Sequence, residues 1–160
     1  MKRRHTFITL IGTMLHVVCS PAHAADDDDA ITVKHLSTIH NGLSKYLEAH
    51  GGVWPQTPLD LDVAAGQKWW IETLRPFGVT AEDWTDPRDG GTPPQDRMTY
   101  AVTSFDDQPH RAFRWPNQPW VVTSAFSKKS KQIHLLLPDG SMLTQASKFV
   151  QKVGTGINKK

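Results

Sequence analysis

The chain has 160 residues, 18 Lys and Arg against 16 Asp and Glu, 38% apolar residues, six Trp and a single Cys. That length makes one domain once a leader is set aside, and the composition is rich enough for a real core. Near-balanced charge excludes a basic nucleic-acid binder, and one cysteine excludes a disulfide framework.

Residues 1–24 carry the three parts of a secretory signal peptide: Lys2, Arg3 and Arg4, an apolar middle over Phe7–Val18, and Ala22-His23-Ala24 as cleavage site. The apolar run is shorter than the roughly 20 residues of a bilayer span, so no stable membrane anchor is expected after cleavage. Cys19 leaves with the leader, and removing the three basic residues leaves 15 against 16 acids, a net charge of about −1. A periplasmic or secreted domain over residues 25–160 is the expectation.

Four consecutive Asp, Asp26–Asp29, open that domain as a solvated, frayed start. Ile31–His50 then reads as the longest helix, with Val33, Leu36, Ile39, Leu43, Tyr46 and Leu47 on one stripe and Gly51-Gly52 as its stop. His35, His40 and His50 do not share a metal spacing and are expected at the surface; Gly42 weakens the helix slightly. Leu59–Leu74 is a second helix, striped by Leu59, Val63, Ile71 and Leu74 and ended by Pro76.

Residues 79–97 are rich in Pro, Gly and Asp and read as loop. Asp86, Asp89 and Asp96 offer oxygens for a calcium ion, although their spacing is not that of an EF-hand.

From Met98 the period becomes that of strands: Thr99–Phe105, Arg111–Trp115, Trp120–Phe126 and a central strand over Ile133–Leu137. Pro138-Asp139-Gly140 closes a hairpin, for which a type I′ turn is expected, and Met142-Leu143 continues it. Thr144 is placed to cap a last helix over Gln145–Val153. The fold class is α+β: a long N-terminal helix packed on a small antiparallel sheet, with a short C-terminal helix.

Leu43 to Pro55, with Tyr46 in the last turns, Gly51-Gly52 after them and Trp54 before the proline, resembles the helix end of type IV pilin-like proteins. Trp84 to Pro87 is similar to that family's later Asp-Pro loop, and Leu135 to Met142 resembles the Asp-Gly ending of type II secretion pseudopilins. The three matches fall in the family's order across most of residues 31–153. The leader lacks the Gly before Phe and the Glu of a prepilin, so the resemblance implies a pseudopilin head exported without its membrane stem. It also implies a non-catalytic interaction or assembly component with a protein partner in the cell envelope.

Nothing supplies a catalytic constellation: no Gly-x-Ser-x-Gly, no His-Glu-x-x-His, no phosphate loop, and only Glu48, Glu72 and Glu82 as glutamates after the leader. No cofactor is therefore expected beyond a calcium ion in the Asp loop. Trp54, Trp84 and Trp120 are the candidates for partner contact. A small secreted ligand- or metal-binding module is the alternative, with Trp69, Trp70 and Trp115 around a pocket. A catalytic role would need His110 or His134 hydrogen-bonded to an Asp inside a cleft.

Overall fold

The computed structural model describes residues 22–89, 97–105, 114–123 and 132–146, with side chains from Asp27 onward except those of Asp89 and Ala146. Helix α1 spans Ala22–Ala49 and helix α2 Val63–Leu74. Short 3₁₀ turns at Arg75–Phe77, Glu82–Trp84 and Pro87–Asp89 lead into four strands, β1 (Tyr100–Val102), β2 (Val121–Thr123), β3 (Gln132–Leu136) and β4 (Met142–Ala146). The strands form one antiparallel sheet in the order β1-β2-β3-β4, so the leucine-rich strand is internal.

Strand alternation sets two rows across the face that meets α1. One row is polar: Tyr100, Thr123, His134 and Thr144. The next is apolar: Val102, Val121, Leu136 and Met142. Helix α1 runs along β3 in the same sense, since Asp29 reaches His134 and, eleven residues later, His40 reaches Pro138. Its buried residues therefore change character along its length. Thr32 and His35 face inward in the first turns; Leu36, Ile39, Leu43 and Leu47 follow.

Val33, expected on the inner stripe, is 39% exposed for that reason. The wall opposite its turn is polar (the Thr85 carbonyl, Asp86 and Arg88), and Thr32 and His35 supply matching hydrogen bonds where a valine could not. His35 Nδ1–H and the Tyr100 hydroxyl both donate to Thr85 O, at 2.9 and 3.0 Å. His35 is thus buried, and the half-buried His40 stacks on Trp120; only His50 lies exposed as expected.

Gly42 is a packing requirement rather than a weakness. A Cβ there would stand 2.2 Å from Val79 Cγ2, so its absence lets the Phe77–Val79 segment lie against α1. At the helix end Gly51 and Gly52 both take positive φ, and Gly52 N–H returns to Leu47 O at 2.7 Å.

Helix α2 begins later than its hydrophobic stripe predicts, because Asp62 caps it through Ala65 N–H at 2.8 Å. Leu59 and Val63 consequently lie outside the core, 100% and 80% exposed. The hairpin turn also differs from expectation. Gly140 alone has positive φ, its N–H meets Leu137 O, and Leu137 N–H meets Ser141 O. This is a type I turn with Pro138 and Asp139 at its centre and a glycine bulge after it: Asp139, central to the expected type I′ turn, keeps a negative φ, and proline's fixed φ suits the first central position of a type I turn.

Gln145 and Ala146, expected to open a last helix, belong to β4 instead, where Gln145 pairs with Ile133. The rest of that expected helix lies outside the described residues, as do Arg111–Phe113 and the end of the Trp120–Phe126 strand.

Candidate functional site

The first site grows from the polar row. Asp86-Pro87-Arg88 folds back on itself: Arg88 N–H donates to Asp86 Oδ1 at 3.0 Å, the turn that an Asp before Pro favours. The guanidinium then grips the same carboxylate with two bonds, Nε to Oδ1 at 2.8 Å and Nη2 to Oδ2 at 2.6 Å. Both groups are buried, with side chains 5% and 0% exposed. Burial works against the charged guanidinium, but the bonds and charge of Asp86 and the charge of Asp29 outweigh it and hold Arg88 above the ordinary arginine range.

Arg88 Nη1 also reaches Asp29 Oδ1 at 3.1 Å, and that oxygen accepts His134 Nε2–H at 2.8 Å. The imidazole's other nitrogen meets Thr144 Oγ1 at 3.1 Å. The cluster ties α1, the Pro87–Asp89 turn and the β3–β4 hairpin into one network. Asp29 therefore departs from the solvated, frayed start expected of the acidic run: α1 is already helical there, and a guanidinium and an imidazole hold its carboxylate.

Thr144, His134 and Asp29 stand in line as hydroxyl, imidazole and carboxylate, which meets half of the catalytic condition set by the sequence. The cavity found among the described residues lies elsewhere, beside Trp54. His134's side chain is 3% exposed, and both its nitrogens already hold partners. This arrangement can pin strands and helix together. His110 lies outside the described residues.

Of the calcium candidates only Asp86 has a described side chain. Asp86 gives both oxygens to Arg88, which leaves them poorly placed for a cation. The Asp89 side chain and the whole of Asp96 lie outside the described residues, among which no three His, Cys, Asp or Glu side chains converge.

Trp54, Trp84 and Trp120, expected at a partner surface, are core residues at 1%, 0% and 0% exposure. The correction has a plain cause. An indole buries more apolar area than any other side chain, and this sheet has only short strands with which to build a core. Trp54 touches Trp70, Phe105 and Trp120, with centroids 5.9, 5.3 and 5.2 Å away, and Trp70 continues to Trp69 and Trp84. The aromatic chain crosses from α2 to the sheet.

At one end of that chain lies a second site, a cavity of about 140 Å³ between the Trp54–Leu59 segment, Trp70 and the residues after β1. Of the aromatics expected around a pocket, Trp70 is in its wall. Trp69 is not, and Trp115, half exposed, carries Arg114 over its ring instead. Trp54, a wall residue that the sequence did not place there, has a buried indole N–H with no acceptor among the described residues.

Fold and sites define an α+β domain with an internal ionic tie and an aromatic-walled cavity. Compared with known proteins, the chain matches no family model, and no curated protein or solved structure shows detectable similarity to it. Among the described residues no helix is long and apolar enough to cross a membrane.

Proposed function

We propose that the chain is an exported, pseudopilin-like protein of the cell envelope that acts by contact with a protein partner in a secretion or surface system and makes no bonds itself. The observation that carries this reading is the course of α1 along β3. A long first helix lies on an antiparallel sheet, and the Pro138-Asp139-Gly140 turn is closed against that helix by His40 Nε2–H to Pro138 O at 3.0 Å. A head domain of the pilin type needs this helix-on-sheet arrangement. The Asp29 carboxylate, held by Arg88 and His134, and His35, bonded to the Thr85 carbonyl, hold the helix in place.

Exposed apolar side chains supply contact area: Ile31 on α1, Leu143 on β4 and Trp115 in the loop before β2. The test replaces each of the three, and Leu59 before α2, with a photocrosslinking amino acid in living cells, and exposed Lys45 on α1 as control. Crosslinks from at least one apolar position to an envelope protein, with the exported chain starting at Ala25, are expected. A full-length chain retained in the cytoplasm, or no crosslink above the control, overturns the proposal.

A further inference from the structure

We propose that the cavity beside Trp54 is a socket for one aromatic side chain of the partner, carried next to a basic residue. This rests on the reading that the chain works by protein contact, and it names where and with what chemistry. The volume of about 140 Å³ suits a single ring, since a cavity of about 150 Å³ accepts benzene. Trp54, Trp70 and Phe105 line it, Thr57 and Ser104 add hydroxyls, and among the described residues no charged side chain takes part. A neutral ring fits, and a phenol fits better. The hydroxyls of Thr57 and Ser104 in the lining give a phenol oxygen hydrogen-bond partners.

The surroundings decide between a free small molecule and a protein. Leu59 lines the cavity yet is fully exposed, and Val63, 80% exposed, follows at the start of α2. A ring-sized molecule in the cavity would leave both in water, whereas a polypeptide inserting a ring would cover them, as interface anchors are flanked by water-excluding contacts. Between Leu59 and Val63 stand Asp60 and Asp62, both exposed, while Lys68 further along α2 is paired with Glu72. Among the described residues the rim is therefore acidic, and it favours a segment with a basic residue beside its aromatic one.

The test titrates the purified protein with acetyl-Lys-Tyr-Lys-amide and follows the Trp54 indole N–H resonance. Acetyl-Lys-Ala-Lys-amide, acetyl-Glu-Tyr-Glu-amide and p-cresol serve as comparisons. Saturable binding of the first peptide is expected, with the alanine version weaker by about tenfold or more and the glutamate version weaker severalfold. Ser104→Trp fills the mouth from an exposed position; with its thermal transition intact, it should abolish binding. Asp60→Lys should reverse the preference for lysine over glutamate. Equal binding of the alanine peptide, unchanged binding in folded Ser104→Trp, or p-cresol binding as tightly as the peptide overturns the proposal, the last by making the cavity a small-molecule site. Crosslinks in cells that persist beside any of these failures leave the envelope-contact reading standing.

Discussion

At the scale of single residues, the buried pair Asp86–Arg88 and the partly exposed Asp29 should behave very differently when altered. Arg88→Ala leaves a wholly buried carboxylate without its counter-charge, which costs roughly 3–5 kcal/mol. Asp29 is 38% exposed, and Asn in its place still offers an oxygen to Arg88 and His134, so Asp29→Asn should cost about 1 kcal/mol or less. Urea denaturation of both variants checks the contrast; equal losses would show that the tie is held from α1 rather than from within the Asp86-Pro87-Arg88 turn. Asp139 supplies a second residue-scale prediction. The Ser141 hydroxyl and then its amide hold that carboxyl below its ordinary range. A carboxyl lowered by folding contributes stability above its unfolded pKa of about 3.9, and that contribution disappears as pH falls through the lower folded value. Ser141→Ala removes the hydroxyl bond and keeps the amide, so the Asp139 titration followed by carboxyl ¹³C shifts should move upward, toward but not fully to the ordinary value.

At the scale of elements, Gly42 separates two opposing effects. Alanine in a helix interior is worth about 1 kcal/mol over glycine, whereas overfilling a packed contact costs about 1–3 kcal/mol. Val79 is 1% exposed and its Cγ2 stands 2.2 Å from where the new Cβ would be, so packing should win. Gly42→Ala is expected to destabilise the protein by about 1–2 kcal/mol. In a Val79→Ala background the same change should become neutral or stabilising, because only the propensity term remains. Denaturation midpoints of the four proteins in that cycle test it, and additive effects would show that the two elements do not touch there.

The same scale shows what was legible in the sequence. Three- and four-residue spacing fixed the body of α1, and the alternation of Ile133 to Leu137 with Asp-Gly behind it located an internal strand and its hairpin. The polar start of α1 escapes the hydrophobic period, which has no term for a turn whose wall is a carbonyl and an ion pair. Yet Asp29, Thr32, Leu36, Ile39 and Leu43 are spaced by three and four, so the phase of the stripe pointed to Asp29 among the four aspartates. The Asp-Pro-Arg turn was visible as a turn, but its partners on α1 and β3 are tertiary and left no local mark. Trp54, Trp84 and Trp120 were placed outward because the sequence does not say how little else is available for the core. The Trp54 cavity depends on how the Val53–Leu59 segment meets the end of β1, which no spacing records.

For the whole molecule, the decisive feature is that its two kinds of glue meet at α1 and the sheet. The aromatic chain joins α2 to the sheet through Trp70, Trp54 and Trp120, and stacking of His40 on Trp120 carries it to α1. The ionic tie joins α1 to the Pro87–Asp89 turn and the β3–β4 hairpin. Neither cluster serves a subset of the fold that could survive the other's loss. Unfolding should therefore be a single cooperative transition, as expected for a domain of this size. Four of the six Trp are buried, so their fluorescence reports on the aromatic core, while far-UV circular dichroism reports chiefly on α1 and α2. The two signals should fall together in urea, with one midpoint. A helix signal that outlasts the tryptophan signal would mean that α1 stands without the sheet. The helix-on-sheet contact could then not be the frame on which a partner is met.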